Sequence, residues 1–200
     1  MRKIISQIGI PKVPFQDFGD TTPRWIDIYS RLYKERILFL FQLLDEDFVN
    51  QMIATLLYLD FEGHKKPIFF YINSIVLSLI SGITLYDMMQ YIKSDVITLC
   101  MGLASSISSL ILANGKYGKR MILPHSRIIL HQPITEYYGQ ASDLVIESET
   151  MSRLRRLLGK LYIEHSTQTL SRISRDIDRD CFLSSREAMN YGLVDEILGS

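Results

Sequence analysis

Two cysteines in 200 residues, at positions 100 and 181, leave this sequence without a disulfide framework, and they form no CxxC or CxxH spacing for zinc. The chain reads as one belonging to a reducing compartment. Net charge is also absent. Lys and Arg number 22 against 22 Asp and Glu, so nothing in the composition argues for nucleic acid or an acidic membrane surface as a partner. The first eleven residues lack both a long apolar stretch before a small-residue cleavage site and the Ser- and Arg-rich character of a transit peptide, so no cleaved address is read there. Charge is missing from two long windows, 67–86 and 96–115. Each is long enough to span a bilayer. The first, however, carries Asn73, Ser74, Ser78 and Ser81, and the second carries Ser105, Ser106, Ser108, Ser109 and Asn114. Each reads instead as a buried strand followed by a helix.

What is present is an alternation. Residues 1–27, with Pro11, Pro14 and Pro23, read as irregular. Ile37–Leu40 reads as a strand, and Asp45–Leu57 as a helix capped by Asp45, with Phe48, Met52 and Leu56 at helical spacing. Strands follow at 68–72, 96–101, 120–123 and 127–130, with helices at 79–92 and 106–113. This order predicts an α/β domain with a largely parallel, buried sheet. Beyond Pro133, Leu144, Met151, Leu154, Leu158 and Leu161 recur at steps of three, four and seven. They predict a long amphipathic helix, about 141–166, whose apolar stripe must lie back on the domain or project against another subunit. A short helix over 184–190 and a turn and strand over 192–195 close the chain.

Chemistry concentrates between Val96 and Pro133. A glycine-led turn carries serines in Gly102-Leu103-Ala104-Ser105-Ser106-Ile107, and a histidine ends an apolar strand in Ile128-Ile129-Leu130-His131. A hydroxyl on a small-residue turn and an imidazole at a strand end are two members of a nucleophilic apparatus. Each alone has a plainer reading, as a helix cap and as a satisfied core histidine. A third member is not singled out by spacing. Asp176, Asp178 and Asp180 crowd together in a run that reads as a solvated, salt-bridged turn.

Longer phrases carry a resemblance. They are Tyr29-Ser30-Arg31-Leu32-Tyr33-Lys34-Glu35-Arg36-Ile37, Tyr71-Ile72-Asn73-Ser74, Gly102-Leu103-Ala104-Ser105-Ser106, Leu123-Pro124-His125-Ser126-Arg127, His131-Gln132-Pro133, Gly139-Gln140-Ala141-Ser142-Asp143, Asp178-Arg179-Asp180 and Tyr191-Gly192-Leu193-Val194-Asp195. From about Ile8 to Leu198 the chain resembles ClpP, the proteolytic subunit of the ATP-dependent Clp protease. The opening Ile8-Gly9-Ile10-Pro11-Lys12-Val13-Pro14-Phe15 is similar to the chloroplast-encoded branch, which implies the plastid stroma.

The resemblance implies a ClpP/crotonase-like fold with a buried, mostly parallel sheet, flanking helices and a projecting handle helix. It implies an axial segment over 1–27 and one domain over 28–200, with a head (28–131 and 167–200) and a handle (about 132–166). The activity it implies is a serine endopeptidase acting on unfolded polypeptides. Ser106 is then the nucleophile, His131 the general base and Asp180 the residue that orients it. The backbone N–H groups of Leu77 and Ile107 form the oxyanion hole. Asp178 and Arg179 bridge two rings, and Phe69 and Tyr71 belong to a cleft where an unfoldase docks. The implied assembly is two stacked heptameric rings, homomeric or mixed with paralogous subunits, served by an AAA+ unfoldase of the ClpC or ClpX type. No metal or cofactor is expected, ATP being hydrolysed by that partner, and neither nucleic acid nor a membrane is expected to bind.

One departure stands out. Where the family has Pro-Gly-Gly after Asn-Ser, this chain has Ile75-Val76-Leu77, and Ser108 replaces a glycine two residues after the nucleophile. Glycine reaches dihedrals that β-branched valine avoids. The expectation is therefore a peptidase of reduced rate, with a structural ring subunit that co-assembles with active paralogues as the alternative. A crotonase-like acyl-CoA enzyme, of the same fold superfamily, is disfavoured by the Ser–His–Asp set and the handle phrases.

Overall fold

The computed structural model describes residues 9–16, 22–42, 45–75, 79–134, 136 and 138–199. The region expected to be irregular contains β1 (Lys12–Phe15) and β2 (Arg24–Asp27), paired antiparallel. Both strands of such a ribbon are edges, so Pro14 is tolerated where it could not donate to a central ladder. The ribbon is fastened to α1 (Ile28–Lys34), whose Arg31 and Lys34 lie over the Phe15 ring at 5.2 and 3.9 Å.

The expected sheet follows. β3 (Ile37–Leu40), β4 (Ile68–Ile75), β5 (Val96–Ser105) and β6 (Arg120–Ile122) lie side by side in parallel. β7 (Arg127–Leu130) extends the far end of β5 in parallel, and β8 (Cys181–Ser184) pairs antiparallel with β7. β9 (Glu196–Ile197) adds to β6. The closing strand thus begins after Asp195, not over 192–195 as expected. The side chain of Asp195 is taken up by Gly118 and Arg120, and Gly192, at φ 88°, caps the preceding helix.

Helices cover the sheet: α2 (Glu46–Glu62), α3 (Leu79–Tyr91), α4 (Ile107–Ala113), α5 (Ala141–His165), α6 (Leu170–Asp178) and α7 (Ser185–Tyr191). Asp45 caps α2 by accepting from the Phe48 N–H at 2.8 Å, as its position suggested. α2 runs past the expected end at Leu57 until Gly63 stops it. The acidic run before Cys181 is a correction: it is salt-bridged as expected, through Arg155–Asp178, but it begins as the end of a helix, α6, which buries Ile173 and Ile177 and whose Asp176 accepts from the Tyr191 hydroxyl at 3.0 Å. Both charge-free windows resolve into strand plus helix, and among the described residues no helix is long and apolar enough to cross a membrane.

α5 changes character along its length. Leu144, Val145 and Ile146 are exposed, whereas Leu158, Gly159 and Tyr162 are buried against the domain. Its last residue, His165, shares a 2.7 Å hydrogen bond with the Tyr86 hydroxyl. Burial, then the charge of Arg120, lowers the pKa of this imidazole below the ordinary 6.5, against an opposing pull from Glu164. The folded chain therefore favours the neutral ring. That contribution is complete above pH 6.5 and is lost as pH falls from there through the folded value. The thermal midpoint is expected to begin falling just below pH 6.5, and His165→Gln to flatten that part of the midpoint-versus-pH curve.

Candidate active site

β5 ends at Ser105 and α4 begins at Ile107, so Ser106 alone makes the turn between strand and helix. It does so at φ 52° and ψ −122°, a conformation that L-residues rarely adopt. Such strain costs about 1–3 kcal/mol and persists only where the surroundings over-determine it. Here the Ser106 N–H donates to Ile129 O on β7 at 2.8 Å, and its carbonyl is held from α4 and α5. A serine on a sharp strand-to-helix turn is the arrangement that presents a nucleophile at the end of a parallel sheet.

The approach to the turn needs its glycine. Gly102 has φ 103°, and a Cβ there would meet Asn73 Oδ1 at 2.9 Å. The same Asn73 oxygen accepts from the Leu103 N–H at 3.1 Å, across an irregularity in the β4–β5 register. The match of Asn73-Ser74 with Gly102-Leu103 thus has a physical basis: a side-chain amide caps one strand where its neighbour bends.

His131 follows β7 and is half-buried. Its Nε2 lies 3.0 Å from Ser105 Oγ, and its Nδ1 lies 2.9 Å from Gln132 O. The imidazole therefore makes its serine contact with Ser105, and no hydrogen bond joins it to Ser106. In the sequence, nothing but its place in the turn marks Ser105. Its contact depends on which way two short side chains rotate, which no pattern encodes. Catalytic hydrogen bonds are often loose or misaligned without substrate.

Asp180 is exposed and makes no hydrogen bond to His131. The β7–β8 ladder nonetheless pairs Leu130 with Cys181, so its next step sets His131 opposite Asp180. Neighbours across an antiparallel pair lie within side-chain reach. Asp178 is ion-paired with Arg155 of α5, and its carbonyl accepts from Gln132 Nε2 at 3.4 Å. Arg179 caps α6 and is exposed.

Of the two expected oxyanion donors, Leu77 lies outside the described residues. Ile107 is the first residue of α4, so its N–H is among those a helix leaves without an internal acceptor. Phe69 and Tyr71 occupy one half-buried face of β4. Tyr71 stacks on Phe39 at 5.5 Å and 25°, beside a recess of about 380 Å³ lined by Tyr29, Tyr33, Phe39, Phe41 and Phe48. A groove of about 360 Å³ lies next to His131, lined by Gln132, Pro133, Leu144, Met151 and Arg155 among others. A larger cleft, about 940 Å³, lies around Asp95, Arg120 and His165 at the opposite end of the strands and shares no residue with the serine turn. Among the described residues, no three His, Cys, Asp or Glu side chains gather as metal ligands.

Two features of the turn make direct predictions. The Ser108 hydroxyl is fully buried and, among the buried side-chain polar atoms of the described residues, is the one without a partner. Burying an unsatisfied hydroxyl costs about 1–3 kcal/mol, so Ser108→Ala is expected to raise the urea midpoint of unfolding. In α3, a Cβ on Gly82 would lie 2.4 and 2.5 Å from the two γ carbons of Ile107. Gly82→Ala is expected to destabilise by about 1–3 kcal/mol through overpacking and, because Ile107 must shift, to lower the rate more than the KM in steady-state assays.

The family described as Clp protease matches residues 19–200. The "ATP-dependent Clp protease proteolytic subunit" of Bigelowiella natans is 66% identical over 191 residues, covering 96% of this chain and 98% of that protein. A protein of the same description from Chlorella vulgaris is 53% identical over 190 residues, covering 95% of this chain and 94% of its own. The "ATP-dependent Clp protease proteolytic subunit 2" of Prochlorococcus marinus (strain NATL2A) is 47% identical over 192 residues, with 96% of each chain covered.

Proposed function

This chain belongs to the Clp protease family, and from that membership we propose that it is a serine-type endopeptidase whose nucleophile is Ser106. The role of a protease subunit follows from the family. The observation that carries the finer reading is the strained turn: among the described residues near the site, Ser106 is the non-glycine residue with a positive φ, at the point where β5 gives way to α4. In the proposed reaction His131 takes the Ser106 proton as the hydroxyl attacks the scissile carbonyl. Asp180 rotates toward Nδ1 and stabilises the imidazolium, and the imidazole then returns the proton to the leaving amine. The N–H groups of Ile107 and Leu77 stabilise the oxyanion. The groove beside His131, with Leu144 and Met151 in its lining, suits an apolar side chain of the substrate. Hydrolysis of this kind needs no cofactor in the site.

The subunit is further proposed to work in a chamber of two stacked seven-membered rings, homomeric or mixed. Residues 1–27 form the axial segment and 28–200 a single domain, and α5 is the handle between rings. The exposed Leu144, Val145 and Ile146 support this, since an apolar turn of helix without cover needs a partner surface. Asp178 and Arg179 at the foot of α6 are the proposed contacts across rings. The aromatic face with Phe69 and Tyr71 is the proposed docking cleft for an AAA+ unfoldase of the ClpC or ClpX type, which uses ATP to deliver unfolded chains. The algal and plant relatives support the plastid stroma as the site of action. The test is degradation of an unfolded protein by the assembled rings with unfoldase and ATP. Cleavage that requires Ser106 upholds the reading.

The second reading, a structural ring subunit without activity, draws on Ile75-Val76-Leu77 in place of glycines and on the contact of His131 with Ser105. Losing one oxyanion donor lowers kcat by about a hundred- to a thousand-fold. Rings that form yet neither cleave nor take an active-site label would establish it.

A further inference from the structure

We propose that Tyr162 of α5, together with Ser109 of α4, is a positioning residue for the nucleophile: the two hydroxyls clamp the Ser106 carbonyl and hold the strained turn in place. This rests on the reading of Ser106 as the nucleophile.

The Tyr162 hydroxyl donates to Ser106 O over 2.9 Å, Ser109 Oγ donates to the same oxygen over 2.7 Å, and the two hydroxyl oxygens lie 2.7 Å apart. Both side chains are buried, Tyr162 at 1% exposure and Ser109 at 0%. Each hydroxyl has one proton, so three close oxygen pairs share two protons. If one proton lies between the hydroxyls, the other is left for the carbonyl. In every arrangement at least one hydroxyl therefore donates to Ser106 O. Burial pushes the Tyr162 phenol far above its ordinary pKa, against a lowering by Ser109, so the donor proton is kept at any pH where the protein works.

The need for a clamp comes from the backbone. On its N-terminal side the Ser106 peptide is fixed to β7 through Ile129 O. On its C-terminal side the N–H groups of Ser109 and Leu110 reach the carbonyl at 2.9 and 3.3 Å, but these are bonds within the short helix that the turn itself begins. They would move with it. Tyr162 is the link from that carbonyl to a different element, so it ties the turn to α5. A buried hydroxyl is costly unless partnered, and a phenylalanine would fill the same apolar volume. The hydroxyl is accounted for by its hold on Ser106 O and Ser109.

The test compares Tyr162→Phe and Ser109→Ala with the wild-type assembly. Four quantities are read: the rate constant of fluorophosphonate labelling, kcat and KM on a fluorogenic peptide, the thermal midpoint, and amide exchange across residues 105–110. The clamp predicts that Tyr162→Phe lowers labelling and kcat by roughly ten- to a hundred-fold with KM unchanged. It also predicts that exchange in 105–110 accelerates more than in the rest of the core. Ser109→Ala has a smaller effect because Tyr162 still donates, and should Tyr162→Phe fail to fold, Ser109→Ala decides on the same readouts. Wild-type labelling per folded site, with loss only in the thermal midpoint, overturns the clamp. If the wild type itself takes no label at Ser106, the nucleophile reading fails. Exchange then decides the clamp alone: faster exchange in Tyr162→Phe upholds it as a brace of the turn, and unchanged exchange overturns it.

Discussion

Ser106→Ala is expected to lower peptide-bond hydrolysis by about a million-fold while leaving fold and assembly in place. The side chain removed is one hydroxyl on a turn whose backbone is held by Ile129, by α4 and by Tyr162, none of which depends on Oγ. Ser105→Ala makes the sharper comparison. Ser105 Oγ occupies His131 Nε2 in the resting site, so its removal frees the imidazole for Ser106. Ser105→Ala should retain hydrolysis at or above the wild-type rate. The reverse pattern, with Ser105 essential and Ser106 dispensable, would move the nucleophile to the strand end. Initial rates on a fluorogenic peptide, normalised to assembled rings, separate the two.

The largest effect on stability is expected at Arg120, far from the chemistry. Its guanidinium makes a salt bridge of 2.6 Å with Asp195, with the two side chains at 4% and 16% exposure. It also donates to Ala113 O at 3.2 Å and His165 O at 3.0 Å, joining β6 to the ends of α4 and α5. Burial pushes the Asp195 carboxyl up, but hydrogen bonds and charge from Arg120, with the Gly118 N–H, outweigh it and hold the group below its usual value of 3.8. Arg120→Ala would leave the largely buried Asp195 charge without its cation and the Ala113 and His165 carbonyls without this donor, a loss of about 3–5 kcal/mol. Because the folded pKa of Asp195 is depressed, the stability it contributes is present above 3.8 and is lost as pH falls through the folded value. The gap between wild type and Arg120→Ala should therefore be wide in urea unfolding at neutral pH and should narrow in acid. A constant gap would mean that packing, not charge, is what Arg120 supplies.

Buried parallel strands carry unbroken apolar runs, which is why Ile37–Leu40, Ile68–Ile72 and Val96–Met101 were legible as sheet. β1 and β2 were not, because Pro14 within β1 and Pro23 just before β2 argue against strands unless the pairing is known to be a two-edged ribbon. α6 was hidden for the opposite reason: Ile173 and Ile177 are its buried residues, and a run of Arg and Asp surrounds them. In the site, the turn serine and the strand-end histidine were visible from residue type and spacing. Residue type and spacing mark none of Asp176, Asp178 and Asp180 as the partner of His131; Asp180 comes from the resemblance, and the β7–β8 register, carried one step on, puts it opposite His131 without a hydrogen bond between them. Tyr162 sits one residue beside the leucine stripe, next to Leu161, and nothing in that periodicity marks a hydroxyl as aimed at a carbonyl 56 residues earlier. The contact between His131 and Ser105 belongs to side-chain rotation, which sequence pattern does not reach.

Ser106 is proposed to be an activated nucleophile despite the residues that replace the glycines before it. The direct test is reaction of the assembled protein with a fluorophosphonate, followed by peptide mass mapping of the modified residue. A single adduct on Ser106 is expected, retained in Ser105→Ala and absent in His131→Ala. An adduct on Ser105, or intact rings carrying none, would contradict it.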